Sequence, residues 1–265
     1  MFIFTHIPKT AGTTFDKSIV HNFKHVFFAH DGIELYSKKY GSFYDAVKTG
    51  RKIPFVPDYV HAHTPHGIHK LFDTDDVKYL TILREPFART VSSIRHAIGT
   101  MGKIGLMGEM LFQDLRGNYK DDKLFLEQLM VRGINCNAMT LQLSGCVDLD
   151  NIVMPDSARE TGIFFSPYLR LKEPYRHDEM EAFLEKAKEN LKSYAFIGLQ
   201  KTFNSSLKSF GKRFGLSIKS KEKQKSTKKK SFKVSLEDPE VEDILKKMNE
   251  YDLRLYEHVL NGILK

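Results

Sequence analysis

The chain has 265 residues, 41% hydrophobic and 28% charged, which suits one large α/β domain or one such domain with a helical insertion and leaves no need for staples to hold a core. No run approaches the ~18 apolar residues that cross a bilayer, the opening six residues lack the charged and apolar regions of a signal peptide, and the two cysteines, Cys136 and Cys146, fit buried thiols in a reducing compartment, so the expectation is a cytoplasmic protein or a catalytic domain cut from something longer. The net charge of +8 is uneven: residues 217–233 hold eight lysines and one acid, so the body of the chain is close to neutral.

In chain order, residues 1–5 alternate as a short apolar strand, and a turn rich in Pro, Thr and Gly follows over 7–14. Phe15, Ile19, Val20 and Phe23 then have helical spacing. A second strand is predicted over 25–29, a short helix over 42–50 and a third strand over 59–63. Residues 77–83 are apolar enough for a parallel strand buried on both faces, and Pro86 opens the next helix, continued by Val91, Ile94 and Ile98. Residues 99–121 are glycine-rich without a clear period and read as a flexible excursion near an acceptor site. Helices are predicted over 122–131, 135–143, 178–192 and 201–214, a buried strand over 194–199, a lysine-rich loop over 217–233 and one long amphipathic helix over 238–262. Strand–helix alternation of this kind predicts a P-loop-like parallel sheet flanked by helices, with additional helices in the C-terminal half, as a single domain over 1–265.

The first strand–turn–helix carries Pro8, Lys9, Thr10, Ala11, Gly12, Thr13 and Thr14. Such a turn presents free backbone N–H groups at the positive end of a helix dipole, where an anion binds. Gly12 admits a close phosphate, the threonines add hydroxyl donors and Lys9 adds a charge. The pattern is not a Walker A motif, because Lys9 precedes the glycine. An ordinary helix following a turn is the alternative.

A second segment follows the strand at 77–83. Arg84 stands where that strand ends, the place where open α/β sheets bind ligands, and Ser92 lies two helical turns further on. Arg84 suits a bidentate grip on phosphate and Ser92 a hydroxyl donor, whereas Arg89 is expected to pack or pair locally. A surface Arg–Glu pair at a helix start is the competing reading.

Taken together, the two segments resemble the PAPS-dependent sulfotransferases, in particular the branch of heparan sulfate 2-O-sulfotransferase and its bacterial relatives. The resemblance covers roughly residues 1–100. It implies that Lys9 to Thr14 bind the 5′-phosphosulfate of 3′-phosphoadenosine-5′-phosphosulfate (PAPS), that Arg84 and Ser92 bind its 3′-phosphate, and that PAP is the product. Glu85 stands where the family commonly has Asp, and Gln200 where relatives often have Glu.

His61, His63, His66 and His69 fall within nine residues. On a strand, His61 and His63 share a face, which at a carboxyl end opens toward a ligand site, and a neutral imidazole removes a hydroxyl proton well near pH 7. The resemblance assigns that role to His63, with His61 as a helper. Zinc is the second reading, weakened because no cysteine lies nearby and no partnering acid is placed. Solvated loop histidines are the third, and His66 and His69 are expected in that class, on a short helix after Pro65.

The expected activity is therefore transfer of a sulfuryl group from PAPS to an acceptor hydroxyl of a glycan or small metabolite, in line at sulfur and without a metal, with Lys9 and the cradle amides stabilising the leaving phosphate. A P-loop small-molecule kinase is disfavoured by the missing Gly-Lys-Ser/Thr. A non-catalytic nucleotide- or polyanion-binding module would keep Arg84 and the lysines without needing His63. The lysine-rich stretch reads as a solvated loop, a nucleotide cap or a seat for an anionic polymer; nucleic acid fits least, since Phe232 is the only aromatic among the lysines.

Overall fold

The computed structural model describes residues 1–28, 43–100, 107–153, 165, 169–219 and 232–264. Five strands form one sheet: β1 (Phe2–Thr5), β2 (Val26–Phe28), β3 (Tyr59–Ala62), β4 (Lys78–Leu83) and β5 (Phe196–Leu199), in the spatial order β2-β3-β1-β4-β5. Every pairing is parallel, so the carboxyl ends of all five strands share one edge. The chain leaves β1 toward β2 and β3 on one side and later crosses to β4 and β5 on the other. That reversal opens a crevice around the end of β1, the usual ligand position in such sheets.

Side-chain alternation divides the core. Phe4, Tyr59, Leu80, Ile82 and Phe196 face α1 (Gly12–Ile19) and α8 (Phe203–Phe214), packing on Phe15, Ile19, Leu207 and Phe210. Ile3, Val60, Tyr79, Leu83 and Ile197 face the other way, into a layer that includes α6 (Ala138–Ser144), α7 (His177–Lys192) and α10 (Glu250–His258). A separate helical cluster joins α3 (Pro86–Thr100), α4 (Met107–Asn118), α5 (Asp122–Val131) and α9 (Pro239–Met248). The short α2 (Phe43–Thr49) completes the α-helices among the described residues. The α/β class and the parallel sheet with flanking helices are as the sequence predicts, and no described helix is long and apolar enough to cross a membrane.

Three local expectations need correction. Residues 107–118, expected within an irregular excursion, form α4, because Phe112 and Leu115 bury one face against the helix containing Phe125. The helix expected over 238–262 is two helices broken at Asn249, whose buried side chain accepts from the Thr90 hydroxyl at 2.8 Å and donates to the Leu245 carbonyl at 2.9 Å. Cys146 is exposed rather than buried, and both cysteines are free. Most of the lysine-rich stretch, 220–231, lies outside the described residues. Its flanks are tied to the body: Lys219 N–H donates to the Ser18 carbonyl, and Arg95 Nε donates to the Phe232 carbonyl.

Arg89 is fully buried, and it pairs both locally, donating to the Thr90 hydroxyl at 3.2 Å, and with groups distant in sequence. It donates to Asn135 Oδ1 at 3.1 Å and stands 3.6 Å from the buried Asp252 carboxylate. Asp252 also accepts from the backbone N–H of Met139 and Thr140, so one buried ion pair joins α3, α6 and α10.

Candidate functional site

The loop from β1 to α1 adopts a conformation that its residues do not favour. Lys9 (φ 71°) and Ala11 (φ 74°) both have left-handed backbone, a region sparse for residues with a Cβ and concentrated at functional sites. Neighbours hold it there. The buried Thr10 hydroxyl donates to the Ile7 carbonyl at 2.9 Å, Arg84 Nη1 donates to the Lys9 carbonyl at 3.1 Å, and the Ala11 carbonyl accepts from Thr14 and Phe15. Thr10 thus spends its hydroxyl on the loop rather than presenting it outward. Thr13 is exposed and Thr14 half-buried.

The two helices that begin at this edge end differently. α3 is closed by its own sequence: both Glu85 carboxylate oxygens accept first-turn amides, from Phe87 at 2.9 Å and Ala88 at 2.7 Å. α1 has no side-chain cap among the described residues; the Ala11 carbonyl already takes the Thr14 amide, which leaves the Gly12 and Thr13 amides and the helix dipole at an end that no side chain closes.

Two cations flank that open end. Burial holds the Lys9 ammonium below its ordinary pKa, and the nearby Arg84 guanidinium lowers it further. Burial also lowers Arg84; Glu85 opposes this, while Arg89 and Arg95 add to it. Arg84 Nε is buried with no hydrogen-bond partner among the described residues. Like charges held close, with the neighbouring carboxylate committed to helix amides, make a site that an anion would relieve. Ser92 is half-buried on α3, and Arg95 is exposed one turn later.

The histidines gather on the opposite side of the loop. The register of β1 against β3 pairs Phe4 with His61 and Thr5 with Ala62. One further step brings His6 beside His63, although they are 57 residues apart. Their rings stack with centroids 4.1 Å apart, and His63 Nδ1 lies 2.7 Å from the His6 backbone carbonyl. A carbonyl only accepts, so in a neutral ring Nδ1 carries the proton and Nε2 keeps the lone pair, the tautomer a general base requires. His61 does not reach His63 directly. Its Nε2 lies 2.6 Å from His6 Nδ1, and its Nδ1 stands 3.0 Å from the Asp16 carboxylate of α1, with both groups buried. Asp16 also lies against the buried Tyr59; burial first, and then the carboxylate, push that phenol's pKa up.

Gly12 belongs to the same arrangement. A Cβ there would fall 2.0 Å from His6 Cδ2 and 2.3 Å from Nε2. The glycine thus makes room for an imidazole, a reason different from the expected approach of a phosphate. Gln142, buried on α6, donates from Nε2 to the carbonyls of His6 and Thr64, both at 3.1 Å, and fastens the ends of β1 and β3 together.

The structure thus brings Lys9, the loop to Thr14 and Arg84 together at one edge, with His63 alongside, and links His61 to His63 through His6. His6, Asp16 and Gln142 were not singled out from sequence. The available signal for His6 was its place one residue past the first strand, matching the place of His63 past the third. His66 and His69 are half-buried rather than solvated: His66 Nδ1 lies 3.3 Å from the Tyr194 hydroxyl, and His69 Nδ1 lies 2.8 Å from that of Tyr79. Burial, then the charges of His69, Lys186 and Lys70, lower His66 to about 4.

Compared with known proteins, the chain matches no family model and no curated protein.

Proposed function

We propose that this chain transfers a sulfuryl group from PAPS to an acceptor hydroxyl, with a carbohydrate as the favoured acceptor class. The observation that carries this reading is the pairing of two half-buried cations, Lys9 and Arg84, around an uncapped helix start, with a base-ready imidazole on the adjoining strand end. The motif resemblance in the first hundred residues supports the identity of the anion. PAPS would supply the activated sulfuryl group. Lys9 and the first-turn amides of α1 stabilise negative charge as it builds on the 5′-phosphate, because preorganised donors in a partly dry site act strongly. Arg84, with Ser92 on the same segment, holds the 3′-phosphate.

His63 Nε2 takes the proton of the acceptor hydroxyl as that oxygen bonds to sulfur and the sulfur–oxygen bond to the nucleotide breaks. The His6 carbonyl fixes the His63 tautomer, and the His6 ring supports its face. Asp16 and His61 in turn hold His6, so they position the base without touching the acceptor. The test is to incubate the protein with radiolabelled PAPS and a panel of glycans, phenols and metabolites. Label transferred to a hydroxyl acceptor supports the reading. No transfer to any class, with the protein folded and the nucleotide bound, counts against it.

A further inference from the structure

We propose that His6, His61 and His63 form a binding site for a divalent transition-metal ion of the zinc type, and that its occupation switches the active site off. On sequence alone a metal site lacked a nearby cysteine and a partnering acid, and His6 was not among its histidines. The fold supplies a third histidine and an acid: the parallel register delivers His6, and α1 delivers Asp16.

One ring nitrogen from each histidine lies within 4.8 Å of the other two. Zinc–nitrogen bonds of about 2.0–2.1 Å at a tetrahedral centre place ligand nitrogens about 3.4 Å apart, so on binding the His6 and His61 nitrogens, 2.6 Å apart, separate and any wider spacing in the set draws in. The surroundings are those of a metal centre. Ligating imidazoles characteristically carry a carboxylate or carbonyl on the remote nitrogen, fixing tautomer and orientation. Asp16 stands at ion-pair distance, 3.0 Å, from His61 Nδ1, close enough to turn into line on binding, and the His6 carbonyl lies 2.7 Å from His63 Nδ1. The facing nitrogens of His6 and His61, 2.6 Å apart, share one proton. For both to ligate, that proton moves to His6 Nε2, and three neutral imidazoles then face the ion with no net proton lost. His6 and His61 are buried and His63 is half-buried, so the ion enters past His63. Two imidazoles alone would favour several metals weakly; a third raises affinity for the later divalent ions of the first row.

The switching part rests on the proposed function, since it requires His63 Nε2 to be the base. A metal on that nitrogen takes the lone pair needed for the acceptor proton. The binding part does not depend on it.

The experiment is a calorimetric titration of the full chain with zinc alone, repeated with cobalt and followed by visible absorption. The expected result is one ion per chain with micromolar or tighter affinity, and the intense visible band of four-coordinate cobalt. His63→Gln should weaken binding at least tenfold, and Asp16→Asn by about tenfold through the lost support. The absence of saturable binding at millimolar metal overturns the site. So does binding that survives His63→Gln unchanged, or a cobalt spectrum of the hydrated ion; the wild-type spectrum decides the matter even if a variant unfolds. Transfer assays then separate the two claims. Zinc binding by a protein that transfers no sulfuryl group even when metal-free leaves the site and removes the proposed activity. Transfer that continues at full rate in zinc-saturated protein overturns the switch.

Discussion

Arg84 Nη1 donates to the backbone carbonyl of Lys9 at 3.1 Å, so the end of β4 grips the loop that leaves β1. The contact brings a second positive charge to the loop that carries Lys9. Two segments 75 residues apart thereby form one cationic site. The neighbouring Glu85 cannot neutralise that site without releasing the first turn of α3.

Removing the base should leave nucleotide binding intact. His63→Ala is expected to lower the turnover of sulfuryl transfer by about 10²-fold or more, with the affinity for PAP changed little. Single-turnover kinetics and calorimetry measure the two quantities. Transfer at the parental rate removes His63 from the mechanism.

Gly12→Ala drives a methyl group into a ring already packed between Phe4 and His63. The expected cost is about 1–3 kcal/mol of stability, as for overpacking elsewhere. Adding His6→Ala vacates the space, so the double variant should be more stable than the sum of the single effects predicts. Urea unfolding of the four proteins forms the cycle; strict additivity would mean that the ring yields without strain.

Acid should weaken the fold through His66. Its folded pKa of about 4 lies below the ordinary 6.5, so the unfolded chain takes up the proton first. The contribution is complete above pH 6.5 and is lost as pH falls toward 4, up to about 3 kcal/mol. His66→Gln should flatten the pH dependence of unfolding between those limits. An unchanged slope would assign the acid sensitivity to other groups.

The Arg89–Asp252 pair is structural. Asp252→Ala leaves a buried guanidinium beside two unsatisfied amides, with an expected loss of about 3–5 kcal/mol. Arg89→Met combined with Asp252→Asn removes both charges and should recover part of that loss. Chemical denaturation reads both, and an equal loss in the single and double variants would contradict the pairing.

The sheet was legible where burial on both faces leaves a mostly apolar run, as at Lys78–Leu83, and the turn between β1 and α1 was legible because Pro8, Gly12 and the threonines are adjacent in sequence. The His6–His61–Asp16 chain was not. Its members come from two strands and a helix, and only the strand register brings them together. Asp16 looks like an ordinary polar residue of a helix until Tyr59 and His61 are seen beneath it. α4 was hidden because glycines interrupt its apolar side, and what holds it is contact with another helix rather than its own propensity. The break at Asn249 was invisible because the apolar period runs on through Tyr251 and Leu255, while the interruption depends on a hydrogen bond from Thr90.

The most direct test of the central claim is calorimetric titration with PAP and, separately, with ADP, in the absence of magnesium. One PAP molecule should bind per chain. ADP, lacking the 3′-phosphate, should bind at least tenfold more weakly, and Arg84→Ala should erase most of that difference. Equal affinities for PAP and ADP, or no binding of PAP at all, would contradict the assignment of Lys9 and Arg84 to a 3′-phosphorylated nucleotide.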